Sequence, residues 1–352
     1  MNKADQKQEH TGSYYAATVN EVTDYPVLEG EKSVDVCVVG GGFTGVSTAL
    51  SLAERGYSVA IVEANRIGWG ASGRNGGQLI NGMSGLDKIR KQHGEGVADM
   101  VQDLRWRGND IIRERVAKYN IQCDLKDGFL EVAPKPSQVR YFEEYAAERE
   151  LHNTGHKYEI WDREKTCAML GTQAFHGGFM CYRDGHVHPL NLCIGEARAA
   201  HNLGVKIFEQ SPIIDIEHGV RPKVKTAKGC IHADSVVLAG NAYSHLEPKH
   251  LSNLVFPAGS YMIATEPLSE ELANEINPLD AAVCDVNEVV DYYRLSADRR
   301  LLYGGACNYS GRDPASIKSF ILPRMQKVYP QLKDVRIDYE WGGKIGIVLR
   351  RI

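Results

Sequence analysis

A chain of 352 residues, 43% hydrophobic and 24% charged, is long enough for two domains that each bury a proper core. Its net charge of −4 and the lack of any basic run or basic–aromatic stripe exclude a nucleic-acid partner. No stretch approaches the roughly 18 apolar residues of a membrane helix, so no membrane role is expected.

In chain order, residues 1–33 read as a polar N-terminal extension without the apolar segment of a secretory signal. "VDVCVV" (34–39) is a short apolar run closed by glycines, which suits a buried parallel strand. Residues 43–55 carry Val46, Ala49, Leu50 and Ala53 on one helical face and stop at Gly56. "SVAIVE" (58–63) is a second buried strand, completing a β-α-β unit. A long small-residue loop follows over 66–82. Helices are predicted at 95–119 and 137–150, a strand at 128–134, and helix, strand and strand over 191–218. A hairpin and an apolar strand then run to Gly240. From 255 onward the pattern is strands joined by turns.

This order predicts an α/β fold. A Rossmann-like nucleotide domain (34–115 and 160–250) interleaves with a mostly antiparallel α+β substrate domain (116–159 and 251–340), and 341–352 begin a strand returning to the first. The eight cysteines lie far apart without a CxxC pair. They read as reduced thiols of a cytoplasmic protein.

Gly40, Gly42 and Gly45 form G-x-G-x-x-G in the required context: apolar strand before, amphipathic helix after, second strand ending in Glu63. The glycines allow the tight turn, the close approach of a pyrophosphate, and helix–strand packing. The helix N-terminus offers N–H groups and a positive dipole end to phosphates. Glu63 can accept from ribose hydroxyls.

A second glycine-rich stretch, "GWGASGRNGGQ" (68–78), separates a flavoprotein from a nicotinamide enzyme. A loop of this length needs a role. Its small residues let the backbone lie flat against a bulky planar ligand. Ser72 and Arg74 can reach a pyrophosphate, and Asn75, Gly76, Gly77 and Gln78 can supply donors to a ring edge.

"DVCVVGGGFTGVSTALSLAERGYSVAIVEANRIGWGASGRNGGQ" resembles the D-amino-acid-oxidase-like superfamily of FAD-dependent amine oxidoreductases. "TGSYYAAT", "HVHPLNL", "VVLAGNAYS" and "YYRLSADRRLLYGG" extend the resemblance over essentially the whole chain. It implies FAD held by Gly40, Gly42, Phe43, Thr44 and Gly45 at the pyrophosphate, by Glu63 and Ala64 at the adenosine ribose, and by Ser72 through Gln78 toward the isoalloxazine. Ile213 would meet the adenine, and Ala239 and Gly240 would pass close to the dinucleotide. The implied reaction is oxidative deamination of γ-glutamylputrescine or a similar amine to an aldehyde with ammonia, O2 being reduced to hydrogen peroxide. The alternatives are a flavin dehydrogenase of D-amino acids or sarcosine-type amines, a truncated flavoprotein without activity, and a nicotinamide oxidoreductase. Members of the superfamily continue beyond the "WGGKIGIVLRRI" with which this sequence closes, so the C-terminal part of the fold is expected to be missing.

For the substrate side, strand alternation allows only one of Tyr292 and Tyr293 to face the flavin. Tyr293 and His188 are the expected catalytic residues, His188 beside the flavin, with Arg294 as a partner for a substrate carboxylate. His186 and His188 form H-x-H, but no third ligand accompanies them and no metal is expected.

Overall fold

The computed structural model describes residues 9–81, 85–151, 158–243, 254–310 and 312–348. In chain order its elements are α1 (Tyr14–Ala17), β1 (Gly30–Val39), α2 (Phe43–Ala53), β2 (Val59–Val62), β3 (Gln78–Leu79), α3 (Leu86–His93), α4 (Glu95–Lys118), β4 (Lys126–Val132), α5 (Val139–Leu151), β5 (Tyr158–Trp161), α6 (Arg163–Leu170), β6 (Gly178–His186), α7 (Pro189–Asn202), β7 (Lys206–Phe208), β8 (Ile213–Glu217), β9 (Lys223–Thr226), β10 (Gly229–Leu238), β11 (Val255–Thr265), α8 (Glu270–Ile276), β12 (Ala282–Asp285), β13 (Tyr292–Leu295), β14 (Leu301–Asn308), α9 (Ile317–Val328) and β15 (Ile337–Val348).

Two sheets organise these elements. The first has the order β7-β2-β1-β10-β9-β8, parallel across β7, β2, β1 and β10 and closed by the antiparallel β9 and β8. All four residues of β2 and the last four of β1 are buried, as expected of parallel strands covered on both faces. One face packs Val36 and Val38 against Val46, Ala49 and Leu50 of α2 and Cys193 and Ala197 of α7. The other packs Cys37, Val39, Ala60 and Val62 against Phe208, Val224 and Ile231.

The second sheet is mostly antiparallel, with the order β15-β11-β14-β13-β12-β4-β6-β3 and β5 also paired to β6. One of its faces forms a core in which Ile263, Val283, Tyr293 and Tyr303 meet Ile321 and Met325 of α9 and Ala273 and Ile276 of α8. Its other face carries Met262, Leu302 and Trp341 into the core shared with α2 and α7, which brings the two sheets together around the site.

Three expectations are corrected. β6 falls inside 160–250 yet joins the second sheet, where it pairs with β4 and β5. Residues 341–348 are the second half of β15, paired along its length with β11; the strand meets the loops of the first sheet through Trp341 Nε1, which donates to Arg74 O (2.9 Å), and Gly346 N, which donates to Asn241 Oδ1 (3.1 Å). The described part of the N-terminal extension is packed into the protein, with Tyr14 and Tyr15 buried, and residues 30–33 belong to β1.

Candidate flavin site

The C-terminal ends of β1, β2 and β10 converge on the fingerprint turn, the position where nucleotides bind to open α/β sheets. Gly42 caps α2. A Cβ on Gly45 would collide with the Gly40 carbonyl oxygen, so only glycine lets the helix approach the strand this closely. Glu63 lies beside the turn: its Oε2 accepts from Gly41 N (2.6 Å) and its Oε1 from Asn65 N (2.8 Å). Burial pushes its carboxyl above the usual carboxylate range. Ala64 next to it is exposed.

The other expected nucleotide residues gather around this turn. Ala239 N donates to Val39 O (2.8 Å), which sets the Ala239–Gly240 bend against Gly40. Ser211 N donates to Glu63 O and Gln210 N to Asn65 O, both at 2.9 Å, so the segment leading to Ile213 runs alongside Glu63. Ile213 itself is half-buried at the start of β8.

The second glycine stretch folds back onto the first. Ser72 Oγ accepts from Phe43 N (2.9 Å), in the first turn of α2 where Thr44 also lies. Asn75 holds its own loop: Nδ2 donates to the carbonyls of Ala71 and Ser72, and Oδ1 accepts from Gly77 N (2.7 Å). Gly77 has φ +72°, and a Cβ there would strike the Val187 carbonyl; Val187 N in turn donates to Gly77 O (2.7 Å). Gln78 Nε2 donates to Val283 O (3.0 Å). Arg74 turns away from the fingerprint. It donates to Trp69 O (2.8 Å), stacks on the Trp69 ring and reaches Gly342 O (3.3 Å).

Alternation along β13 holds, but the face assignment is reversed. Tyr292, not Tyr293, faces the glycine loop, with its hydroxyl 3.2 Å from Ser260 Oγ. Tyr293 lies in the core behind the sheet, stacked on Tyr303 at 5.2 Å. Among the described residues, neither the Tyr293 nor the Tyr303 hydroxyl has a hydrogen-bond partner within 3.5 Å. Arg294 is 1% exposed and donates to the carbonyls of Gly76, Val187 and Leu295, which removes it from the reach of a substrate carboxylate. His188 caps α7: its Nδ1 accepts from Asn191 N (3.1 Å) and its Nε2 lies 3.1 Å from Thr18 Oγ1. Burial, aided by the Arg294 charge, lowers its pKa to about 3. His186 is fully buried, with Nε2 2.6 Å from Asp280 O.

Sequence reasoning missed the side chains that fasten this region to the N-terminal segment. Tyr15 packs edge-on to Trp341 (5.4 Å) and to His188 (5.0 Å), and Trp341 Nε1 donates to Arg74 O (2.9 Å). Glu209 is fully buried; it accepts from Arg66 Nη1 (3.0 Å), Ile67 N (2.7 Å), Tyr25 N (3.2 Å) and the Thr23 hydroxyl. The doublet in "TGSYYAAT" was the one local signal, since adjacent tyrosines in a polar stretch demand cover.

The fingerprint turn, the acid after β2 and the second glycine loop thus lie together at the C-terminal ends of the parallel strands. Residues 35–350 match the family described as FAD dependent oxidoreductase. The chain belongs to this family, and its cofactor is FAD. It is 43% identical over 98% of its length to gamma-glutamylputrescine oxidoreductase of Escherichia coli, of which it spans 81%. A protein of Haemophilus influenzae described as probable oxidoreductase OrdL is 43% identical over 97% of the chain and 80% of its own length. Among solved structures, glycine oxidase of Geobacillus kaustophilus superposes with a TM-score of 0.73 at 22% identity, covering 90% of this chain and 84% of that one. Among the described residues no helix is long and apolar enough to cross a membrane.

Proposed function

We propose that this FAD-dependent oxidoreductase oxidises the primary amine of γ-glutamylputrescine or a similar substrate, giving an aldehyde, ammonia and hydrogen peroxide. The observation that carries the reading is the wall opposite Gly76. Tyr292 stands there beside Ser260, and the tyrosine and histidine side chains around the loop are held uncharged. Burial pushes the Tyr292 hydroxyl up to about 12 and raises that of Tyr15, while His188 stays neutral. Such a site disfavours an ammonium and favours the free amine, the form able to release hydride. The likeness in sequence to the E. coli relative supports the substrate class.

The residues present fit the cofactor, because the positions where a Cβ would fill the cradle are glycine. Gly40 to Gly45 and Ser72 would bind the pyrophosphate, with Glu63 at the ribose. Ile213 would lie at the adenine, and Ala239 and Gly240 along the dinucleotide. Asn75 to Gln78 would lie along the ring. The bound flavin supplies the redox chemistry, accepting hydride from the amine carbon. The chain's own residues position and exclude: Tyr292 and Ser260 orient the amine, and the glycine loop sets the distance between ring and wall. No side chain needs to act as a strong base.

The test is a screen of γ-glutamylputrescine, putrescine, D-alanine and sarcosine with peroxide detection. Peroxide with γ-glutamylputrescine at the highest kcat/KM supports the reading. Reduction of an artificial carrier without peroxide, or preference for D-alanine or sarcosine, overturns it in favour of a dehydrogenase or a different amine class.

A further inference from the structure

Arg294 is a buried cation without a counter-ion. Its Nε donates to Gly76 O (2.9 Å), its Nη2 to Val187 O (2.8 Å) and toward the Tyr15 hydroxyl (3.4 Å), and its Nη1 to Leu295 O (3.0 Å). Every one of these partners is neutral. Among the described residues, no carboxylate forms an ion pair with it. Carbonyl dipoles satisfy the N–H groups but leave the charge uncancelled, and a buried charge of this kind is costly. Tyr15 does not supply the missing anion, because burial holds its hydroxyl in the neutral form.

The charge is placed against the second glycine loop. A Cβ on Gly77 would lie 3.0 Å from Arg294 Nη2, so glycine there lets the backbone rest directly on the guanidinium. We infer that Arg294 is an electrostatic positioning residue for the flavin, its positive charge acting through the Gly76–Gly77 backbone to favour the reduced ring. This rests on the reading that the loop lies along the ring. Hydride transfer breaks the amine C–H bond, leaves an iminium on the substrate, and adds two electrons and one proton to a neutral ring. The reduced ring therefore carries one negative charge, the ion that Arg294 lacks. A low-dielectric surround strengthens the attraction.

A purely mechanical role, in which Arg294 only ties three carbonyls together, makes a different prediction. Arg294→Gln keeps N–H donors and loses the charge; Arg294→Lys keeps the charge and loses the fork. The readouts are the midpoint potential of bound FAD by dye equilibration and the dissociation constant for sulfite, whose flavin adduct is anionic. The inference expects Arg294→Gln to weaken sulfite binding at least tenfold and to lower the potential by about 30 mV for each factor of ten in the equilibrium. Arg294→Lys should stay near wild type in both. Unchanged sulfite affinity and potential in Arg294→Gln overturn it, as does an equal fall in both variants. If Arg294→Gln does not fold, wild type decides: a bound potential below that of free FAD overturns the inference, and one above it supports it. Gly76→Val separates the underlying reading, since an unchanged flavin absorption spectrum in that variant refutes the loop's contact with the ring whatever Arg294 does.

Discussion

Gly76 and Tyr292 face one another across the seam between the glycine loop and the second sheet, so closely that a Cβ on Gly76 would come within 2.8 Å of the Tyr292 ring. Gly76→Ala must therefore push the ring or the loop aside. The expected outcome is FAD affinity lowered about tenfold, roughly 1.4 kcal/mol, with the purified protein paler than wild type. Equilibrium dialysis against free FAD measures it, and full retention of flavin would show that the seam is not part of the site.

Tyr292 and Tyr293 should respond oppositely to loss of the hydroxyl. Tyr292→Phe removes the partner of Ser260 on the proposed substrate wall, and kcat/KM should fall several-fold with flavin content unchanged. Tyr293→Phe removes a buried hydroxyl that, among the described residues, has no hydrogen-bond partner within 3.5 Å. It should leave kcat/KM within twofold and stabilise the fold by up to about 1 kcal/mol. A loss of activity in Tyr293→Phe alone would return that residue to the site.

Glu209 holds Arg66, Thr23, Tyr25 and Ile67 together within the protein. Without Glu209, Arg66 keeps Glu9 and Asp24, but the buried donors of Ile67, Tyr25 and Thr23 lose their acceptor, at a cost of about 1–3 kcal/mol. Glu209→Ala should lower the urea midpoint accordingly and free the segment before Gly30 for limited proteolysis. An unchanged midpoint would mean that these contacts contribute nothing net.

His188 gives the fold a pH dependence with a definite sign. Its pKa is about 3 when folded against about 6.5 when unfolded. Between those values the unfolded chain binds the proton and the folded chain does not. Its contribution is therefore fully present above the unfolded value and is lost as pH falls toward the folded one. His188→Asn keeps a capping side chain on α7 and cannot be protonated. Thermal melts between pH 7 and pH 5 should show a shallower decline in Tm for the variant than for wild type. Parallel declines would rule out His188 as a source of the acid sensitivity.

Local signals carried the nucleotide half of the protein. The fingerprint, the acid at 63 and the second glycine run each depend on residues close in sequence, and the choice of flavin over nicotinamide followed from them. Long-range pairing left weaker traces. Alternation showed that Tyr292 and Tyr293 oppose each other but gave no sign of which faces inward, since that depends on β12 and β14 on either side. Nothing local in Gly178–His186 says which sheet it joins. α9 was hidden by Pro323 at its middle, a residue that normally ends a helix. The N-terminal extension looked peripheral because the tyrosines that anchor it are few among many polar neighbours.

The pairing of β1 with β10 joins Gly30 to Gly229 and Val39 to Leu238. During synthesis the central strand of the nucleotide sheet must wait, with one edge open, for some two hundred further residues to leave the ribosome. Such distant closures are slow, and an uncovered apolar strand is prone to self-association while it waits. The yield of native protein in a cell should therefore follow translation speed and chaperone supply more closely than the equilibrium stability of the finished fold.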